Sequence, residues 1–347
     1  MLDLTRELIR RHERGAAGRH DVWVRAAARA IRRAGDAHDA AALLPCFLDD
    51  PEARGALLPV LACHGDRSTA AALLAVHDRN PEVLHVVGWF GHEPATLILW
   101  DHALQGDWDA QCSAVLGLLH LRCDGIDVAA ELRRHEGRGL FPELLPALAV
   151  KTGDPSWARR LLDWGTTGAS TDCNGGLLLG LALLGAAGRD AFDLALWSPA
   201  WETWSGSTGT VRWAARGVLA TGWGVAGLRS RFDAHVSAAT DPADRTNAVL
   251  VLTGVVDRWL DDEWTGLHAA VEPPETREQA FRLLFEGERA LDRLAERLVD
   301  EAGDGGRTEI EPGLPLRFVL RQVYDLRRRL EDAVHHEADL DARTRTP

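Results

Sequence analysis

Regular punctuation is what most constrains the fold of this chain. Short Gly/Asp breaks recur at Gly35-Asp36, Gly65-Asp66, Gly91-His92, Asp124-Gly125, Gly153-Asp154, Gly188-Arg189-Asp190 and Gly222-Trp223-Gly224. Counted from positions 36, 66, 92, 124, 154, 190 and 223, the steps are 30, 26, 32, 30, 36 and 33 residues. Between the breaks apolar residues recur at helical spacing, and strand patterns are scarce. A period of about thirty residues enclosing two helical stretches is the mark of stacked helix pairs, none of which buries its apolar face alone.

Each break has its own chemistry. Glycine closes one helix in a left-handed conformation, and aspartate caps the next. Asp154-Pro155 places a proline at the first helical position, where its missing N–H costs nothing. The unit is therefore helix A, tight turn, helix B, longer loop. A helices are expected at "DVWVRAAARAIRRAG", "PEARGALLPVLACHG", "PEVLHVVGWFG", "WDAQCSAVLGLLHLR", "LFPELLPALAVKTG", "NGGLLLGLALLGAAG" and "GTVRWAARGVLATG". B helices are expected at "RSTAAALLAVHDR", "PATLILWDHALQ", "IDVAAELRRHE", "PSWARRLLDW", "AFDLALW" and "VAGLRSRFDAH". Ala and Gly on the A helices let neighbours approach closely.

"VRWAARGVLATG" (211–222) and "VRAAARAIRRAG" (24–35) share Val-Arg, paired Ala, an apolar residue and a closing Gly. In this they resemble the first helix of HEAT-like (armadillo-type) repeats. Pro59 and Pro146 fall in A helices, where such repeats often kink. The resemblance spans residues 20–236, and the units at 92 and 190 depart most from it. It implies an all-α, right-handed α-α solenoid of seven helix pairs. It is nearly silent on function, because the family serves scaffolds, adaptors, bilin lyases and DNA glycosylases alike.

The expected organisation is a HEAT-like array over 1–240, additional helices closing it over 241–272, and an antiparallel helical hairpin or cap over 273–347. The hairpin rests on two apolar seams, Ala280, Leu284, Gly287, Leu291, Leu294 and Leu298, then Leu316, Val319, Val323, Leu326, Leu330 and Val334. Their spacing is that of a coiled-coil stripe, with "GDGGRTEIEPGLP" as the loop between them.

Charge and composition narrow the partners. A net charge of −13 opposes non-specific binding to nucleic acid or anionic membrane. No apolar run is long enough to span a bilayer, and the first residues lack a signal-peptide core, so a cytoplasmic location is expected. The five cysteines are scattered, with no CxxC, which argues against disulfides or structural zinc. Arginine almost everywhere replaces lysine, which points to a GC-rich, bacterial genome. Lys151, the only lysine, reads as a cation at a helix end rather than a Schiff-base group.

Two candidate sites emerge. The loop "DWGTTGASTDCNGG" (163–176) and "SPAWETWSGSTGT" (198–210) are the longest Gly/Ser/Thr-rich insertions, one repeat apart. Insertions of adjacent repeats share an edge and commonly build a binding face. The residues expected to line it are Trp164, Asp172, Asn174, Trp201, Trp204 and Arg212, with Asn174 also capping the helix that follows; tryptophan supplies flat stacking surface. The other reading of these tryptophans is inter-repeat filling. The second candidate is a basic stripe of Arg133, Arg134, Arg159, Arg160, Arg229 and Arg231 on B helices, near Trp100, Trp157, Trp164 and Asp163. It suits a nucleic-acid cradle, unless the arginines pair with Glu131, Glu136, Asp163 and Asp233.

Catalysis is weakly signalled. Cys173 lies near a helix start but has no histidine close in sequence, with His120 and His135 the candidates in space. Glu82, His85 and His92 lack a matching Glu-x-x-His for a di-metal site, and His335-His336-Glu337 sits in a charged helix. No metal or cofactor is expected, and the catalytic residues stay unassigned. The expected function is a non-catalytic interaction scaffold or adaptor that binds a protein or peptide on a concave face or at the Trp-rich loop edge. The alternatives are a HEAT-like DNA glycosylase or other nucleic-acid-acting enzyme, and a small-molecule-binding or biosynthetic enzyme with a Trp-lined pocket.

Overall fold

Aspartate does start many of the helices. The computed structural model describes residues 1–14, 22–170, 173–204 and 210–241, much of 244–255, and the segments 309–311 and 314–315. Met1–Ile126 forms one compact unit, and the described residues from Asp127 onward form a second. In the first unit the helices are α1 (Asp3–Glu13), α2 (Val22–Ala34), α3 (Ala37–Asp49), α4 (Arg54–His64), α5 (Arg67–Leu74), α6 (Val83–Trp89), α7 (Thr96–Gln105) and α8 (Trp108–Leu118). Asp36 accepts from the N–H groups of His38 and Asp39 at 2.8 and 3.2 Å, and Asp39 accepts from the N–H of Asp36 at 3.1 Å, a capping box that opens α3. Asp66 and Thr69 repeat the device at α5, and Asp107 caps α8 through the Ala110 N–H at 2.9 Å.

Sequence reading did not anticipate α1. Asp39, which is buried, holds it in place: its Oδ1 accepts the Thr5 hydroxyl at 2.5 Å and the Leu2 N–H at 2.8 Å. Burial opposes ionisation of Asp39, but these donors and the Asp36 N–H outweigh it and hold the carboxyl below its ordinary value.

Helices touch in a repeating order. α2 packs on α4, α4 on α6 and α6 on α8, while α3 packs on α4 and α5, α5 on α6, and α7 on α8. Glycine permits the closest of these contacts. A Cβ on Gly117 of α8 would lie 2.5 Å from the Leu84 carbonyl oxygen and 2.6 Å from a Leu99 methyl, and one on Gly88 of α6 would strike the Gly117 backbone. The left-handed closures expected at the breaks occur at Gly91, Gly125, Gly153 and Gly222, with φ of 64°, 83°, 66° and 70°. Gly188 has φ of −99°, not the left-handed value. Gly35 and Gly65 also differ: neither has positive φ. Steric room explains them instead, since a Cβ at either would lie 2.5 Å from the carbonyl oxygen four residues back.

The second unit carries α9 (Val128–His135), a 3₁₀ helix (Leu145–Thr152), α10 (Trp157–Thr167), α11 (Asn174–Leu183), α12 (Arg189–Trp197), α13 (Thr210–Ala220) and α14 (Gly224–Ala238). The same alternation appears: α11 packs on the 3₁₀ helix, α10, α12 and α13, and α10 packs on α12. Where an α-helix was expected, Pro142 and Pro146 remove N–H donors. Leu145 and Ala147 then bond three residues back, to Pro142 and Leu144, both at 2.9 Å. Pro146 therefore lies in the first turn of a 3₁₀ helix rather than inside an α-helix, whereas Pro59 is inside α4 as expected. Pro155 also falls earlier than expected, in the turn before α10. There Asp154 accepts from the Ser156 N–H at 2.9 Å.

The described residues of 244–255 are helical, with Ala248, Val251 and Val255 buried. The only strands among the described residues are Glu309–Glu311 and Leu314–Pro315, a short antiparallel ladder within the stretch expected to be a loop. The two hairpin seams lie outside the described residues. The fold is all-α apart from that ladder, and no helix among the described residues is long and apolar enough to cross a membrane.

Candidate functional site

The two insertions singled out from sequence do meet, and they meet as packing. Gly165 of α10 lies against the Trp201 ring; a Cβ there would sit 2.8 Å from Trp201 Cζ3. Asn174 donates from Nδ2 to the Trp201 carbonyl at 3.2 Å, and Trp164 donates from Nε1 to the Arg138 carbonyl at 2.9 Å. Trp164, Asn174 and Trp201 are buried and Trp204 is half-buried. Asn174 was expected to cap α11, but the cap position is Cys173, because the Asn174 amide is engaged with Trp201. Arg212 lies 5.9 Å from the Trp213 ring centroid. Asp172 lies outside the described residues.

Beneath these loops lies a charged cluster that sequence reading missed. Glu143 and Arg216 are both buried. The missing side chain of Gly175 makes room for the Trp213 ring and the Glu143 carboxylate side by side. The Arg216 guanidinium sits 4.8 Å from the centroid of the same ring. Sequence offers no signal for this, because Glu143 and Arg216 look like ordinary surface charges.

The arginine stripe is largely paired. Arg134 meets Glu131 at 3.0 Å and Arg159 meets Asp163 at 2.7 Å. Arg160 pairs with Glu136, which holds its guanidinium above the ordinary value, and Arg231 pairs with Asp193. Arg133 is exposed, and the Arg229 side chain lies outside the described residues. The Cys173 thiol is buried and directed to the Phe141 carbonyl, 3.7 Å away. His135 bonds Glu131 at 3.1 Å.

Open space is found elsewhere in this unit, between α12 and α14. Asp190, Asp193, Leu194 and Trp197 recur at helical spacing on one wall, and Trp223, Gly227, Ser230, Arg231, Ala234 and His235 on the other. With Ser198, Pro199 and Asp244 they enclose a groove of about 1100 Å³. Two clasps join the walls. His235 stacks on Trp197, centroids 5.8 Å apart and planes within 23°. Arg231 lies 4.0 Å over the Trp223 ring and pairs with Asp193, which also accepts the Trp197 Nε1–H at 3.1 Å. Gly227, one turn beyond Trp223, leaves that side chain room against α14: a Cβ there would be 2.8 Å from the Trp223 Cβ.

The groove's polarity is lopsided. Arg231 and Asp193 neutralise each other, while Asp190 and Asp244 make no ion pair among the described residues. Two buried ring nitrogens of groove residues, Trp223 Nε1 and His235 Nε2, have no hydrogen-bond partner. Such groups are uncommon, and each costs about 1–3 kcal/mol. The sequence signal was present in part, since Arg231 belongs to the basic stripe singled out. What could not be read from sequence is the open space between α12 and α14. No protein-family model, curated protein or solved structure matches the chain.

Proposed function

We propose that this chain is a HEAT-like helical repeat protein acting as a non-catalytic interaction scaffold. We further propose that the groove between α12 and α14 holds a basic segment of a partner protein. The repeat reading is supported by the alternating order in which A helices pack on A helices and on the intervening B helices. The docking reading rests on one observation: a groove walled in part by Trp223, whose acids Asp190 and Asp244 make no ion pair among the described residues. The carboxylates of Asp190 and Asp244 beside the half-buried Trp223 favour a cationic side chain. The net charge of −13 steers a basic partner toward the surface.

A small-molecule site in the same groove is the second reading, since its volume of about 1100 Å³ is close to that of many such pockets. A nucleic-acid cradle has less support, because four of the six arginines that would line it, Arg134, Arg159, Arg160 and Arg231, already hold acids.

Fluorescence anisotropy tests the proposal with two labelled peptides of equal length, one alternating Arg and Leu, the other Glu and Leu. Saturable binding of the basic peptide alone is expected, weakened roughly tenfold or more in Trp223→Ala and in the double variant Asp190→Asn/Asp244→Asn. Equal binding of both peptides, or binding indifferent to these substitutions, overturns it.

A further inference from the structure

We propose that His77, Asp78 and His102 form a binding site for a divalent ion of borderline softness, zinc being the best match. The site lies in Met1–Ile126 and is independent of the groove. α5 stops at Leu74, and a 3₁₀ turn over His77–Arg79 folds the chain back. This sets His77 beside His102 in the last turn of α7, with ring centroids 5.2 Å apart and planes at 88°. One donor atom from each of His77, Asp78 and His102 lies within 4.8 Å of the others. Among the described residues no other trio of His, Cys, Asp or Glu does this.

The hydrogen bonding of His77 goes beyond proximity. Its Nδ1 lies 2.6 Å from the Leu74 carbonyl oxygen, which only accepts, so Nδ1 carries the proton. Its Nε2 lies 3.2 Å from Asp78 Oδ1. The two donor atoms face one another across a gap that one cation can bridge. A backbone carbonyl that fixes the tautomer and leaves Nε2 bare is the usual outer support of a metal-bound histidine.

The donor set is two imidazoles and one carboxylate, which suits zinc and its neighbours and not magnesium or calcium. Zinc bonds of about 2.0–2.2 Å in tetrahedral array place ligand atoms roughly 3.4 Å apart. The His77–Asp78 separation of 3.2 Å already fits. The 4.8 Å limit on the trio leaves a shift of side-chain size for the rest. Asp78 is 82% exposed, so a remaining coordination position faces water. No i, i+3 or i, i+4 pair marks the site in the sequence, because His102 lies on a different helix from His77 and Asp78.

Isothermal titration of the full chain with zinc chloride, and separately with magnesium chloride, tests the site. Cobalt(II) serves as a spectroscopic substitute. One equivalent of zinc is expected to bind, raising the thermal midpoint of the protein, with no response to magnesium. Asp78→Asn and His102→Gln are each expected to weaken zinc by at least about tenfold while leaving the metal-free thermal midpoint in place. Cobalt is expected to show the visible bands of a low-coordinate nitrogen/oxygen site, lost in His102→Gln. Absence of saturable zinc binding, or binding and cobalt bands unchanged in both variants, overturns the proposal. His77→Ala is the less useful variant, because it also removes the bond to Leu74.

Discussion

Substituting alanine for two glycines of the first unit is expected to change stability in opposite directions. Gly55 lies in the first turn of α4, and a Cβ there meets nothing within 4 Å. Gly55→Ala therefore gains only from reduced unfolded-chain entropy and helix propensity, about 0.5–1 kcal/mol. Gly117 lies where α8 crosses α6, and its Cβ would stand 2.5 Å from the Leu84 carbonyl oxygen. That is about 1 Å inside ordinary contact distance. The obstacle is backbone, so the two helices must separate. Overpacking of this kind costs about 1–3 kcal/mol, and alanine's propensity returns about 1 kcal/mol of it. The net expectation is a loss of up to about 2 kcal/mol. Urea denaturation followed by far-ultraviolet circular dichroism reads both variants in the transition of the same unit. If Gly117→Ala proves as stabilising as Gly55→Ala, the close α6–α8 crossing is wrong, and with it the argument that small residues set the spacing of the A helices.

Three further perturbations probe the remaining contacts. Thr5→Val removes a hydroxyl donor from the buried Asp39 carboxylate, with an expected loss of about 1.5–3 kcal/mol at neutral pH. Because the folded-state pKa of Asp39 lies below the ordinary 3.8, its contribution is present above 3.8 and is lost as pH falls through the folded value. Urea midpoints at neutral pH and at about pH 3 should therefore differ less in Thr5→Val than in the unaltered protein. Asp127→Ala removes the acceptor of the Ala130 N–H at the start of α9 and should cost about 1 kcal/mol in the second unit, again read by urea midpoint. Arg231→Ala should cost no more than about 1 kcal/mol, since the pair with Asp193 is a third exposed. It should also tighten the basic peptide in anisotropy titrations, because Asp193 then becomes a third unpaired acid in the groove.

The helices were legible wherever the signal was local. Asp36 and Asp66, read as caps, act through N–H groups two or three residues away, so a single sequence window contains the whole device. Asp107 and Asp127 cap in the same way without having been singled out, while the N-cap positions near Asp154 and Asp190 fall to Ser156 and Gly188. The conformation of Gly35 and Gly65 was less legible, because a tight turn and a tight contact both select glycine. The 3₁₀ helix Leu145–Thr152 shows a second limit, since its apolar spacing alone does not report the donors lost at Pro142 and Pro146. The tryptophans of the two insertions were found as neighbours, but their burial depended on Gly165 and Asn174 receiving Trp201. The groove and the His77–Asp78–His102 trio were out of reach, because each joins residues from separate helices whose approach is a property of packing.

Site-specific photocross-linking tests the docking claim most directly. Leu194 lines the groove and is 65% exposed, while Leu97 in the other unit is 72% exposed and lies outside it. A benzophenone side chain at each position compares the two surfaces at nearly equal accessibility. The account predicts cross-linking of the basic peptide from position 194, suppressed by Trp223→Ala, and little from position 97. Equal yields from the two positions, or a yield at 194 unaffected by Trp223→Ala, would contradict it.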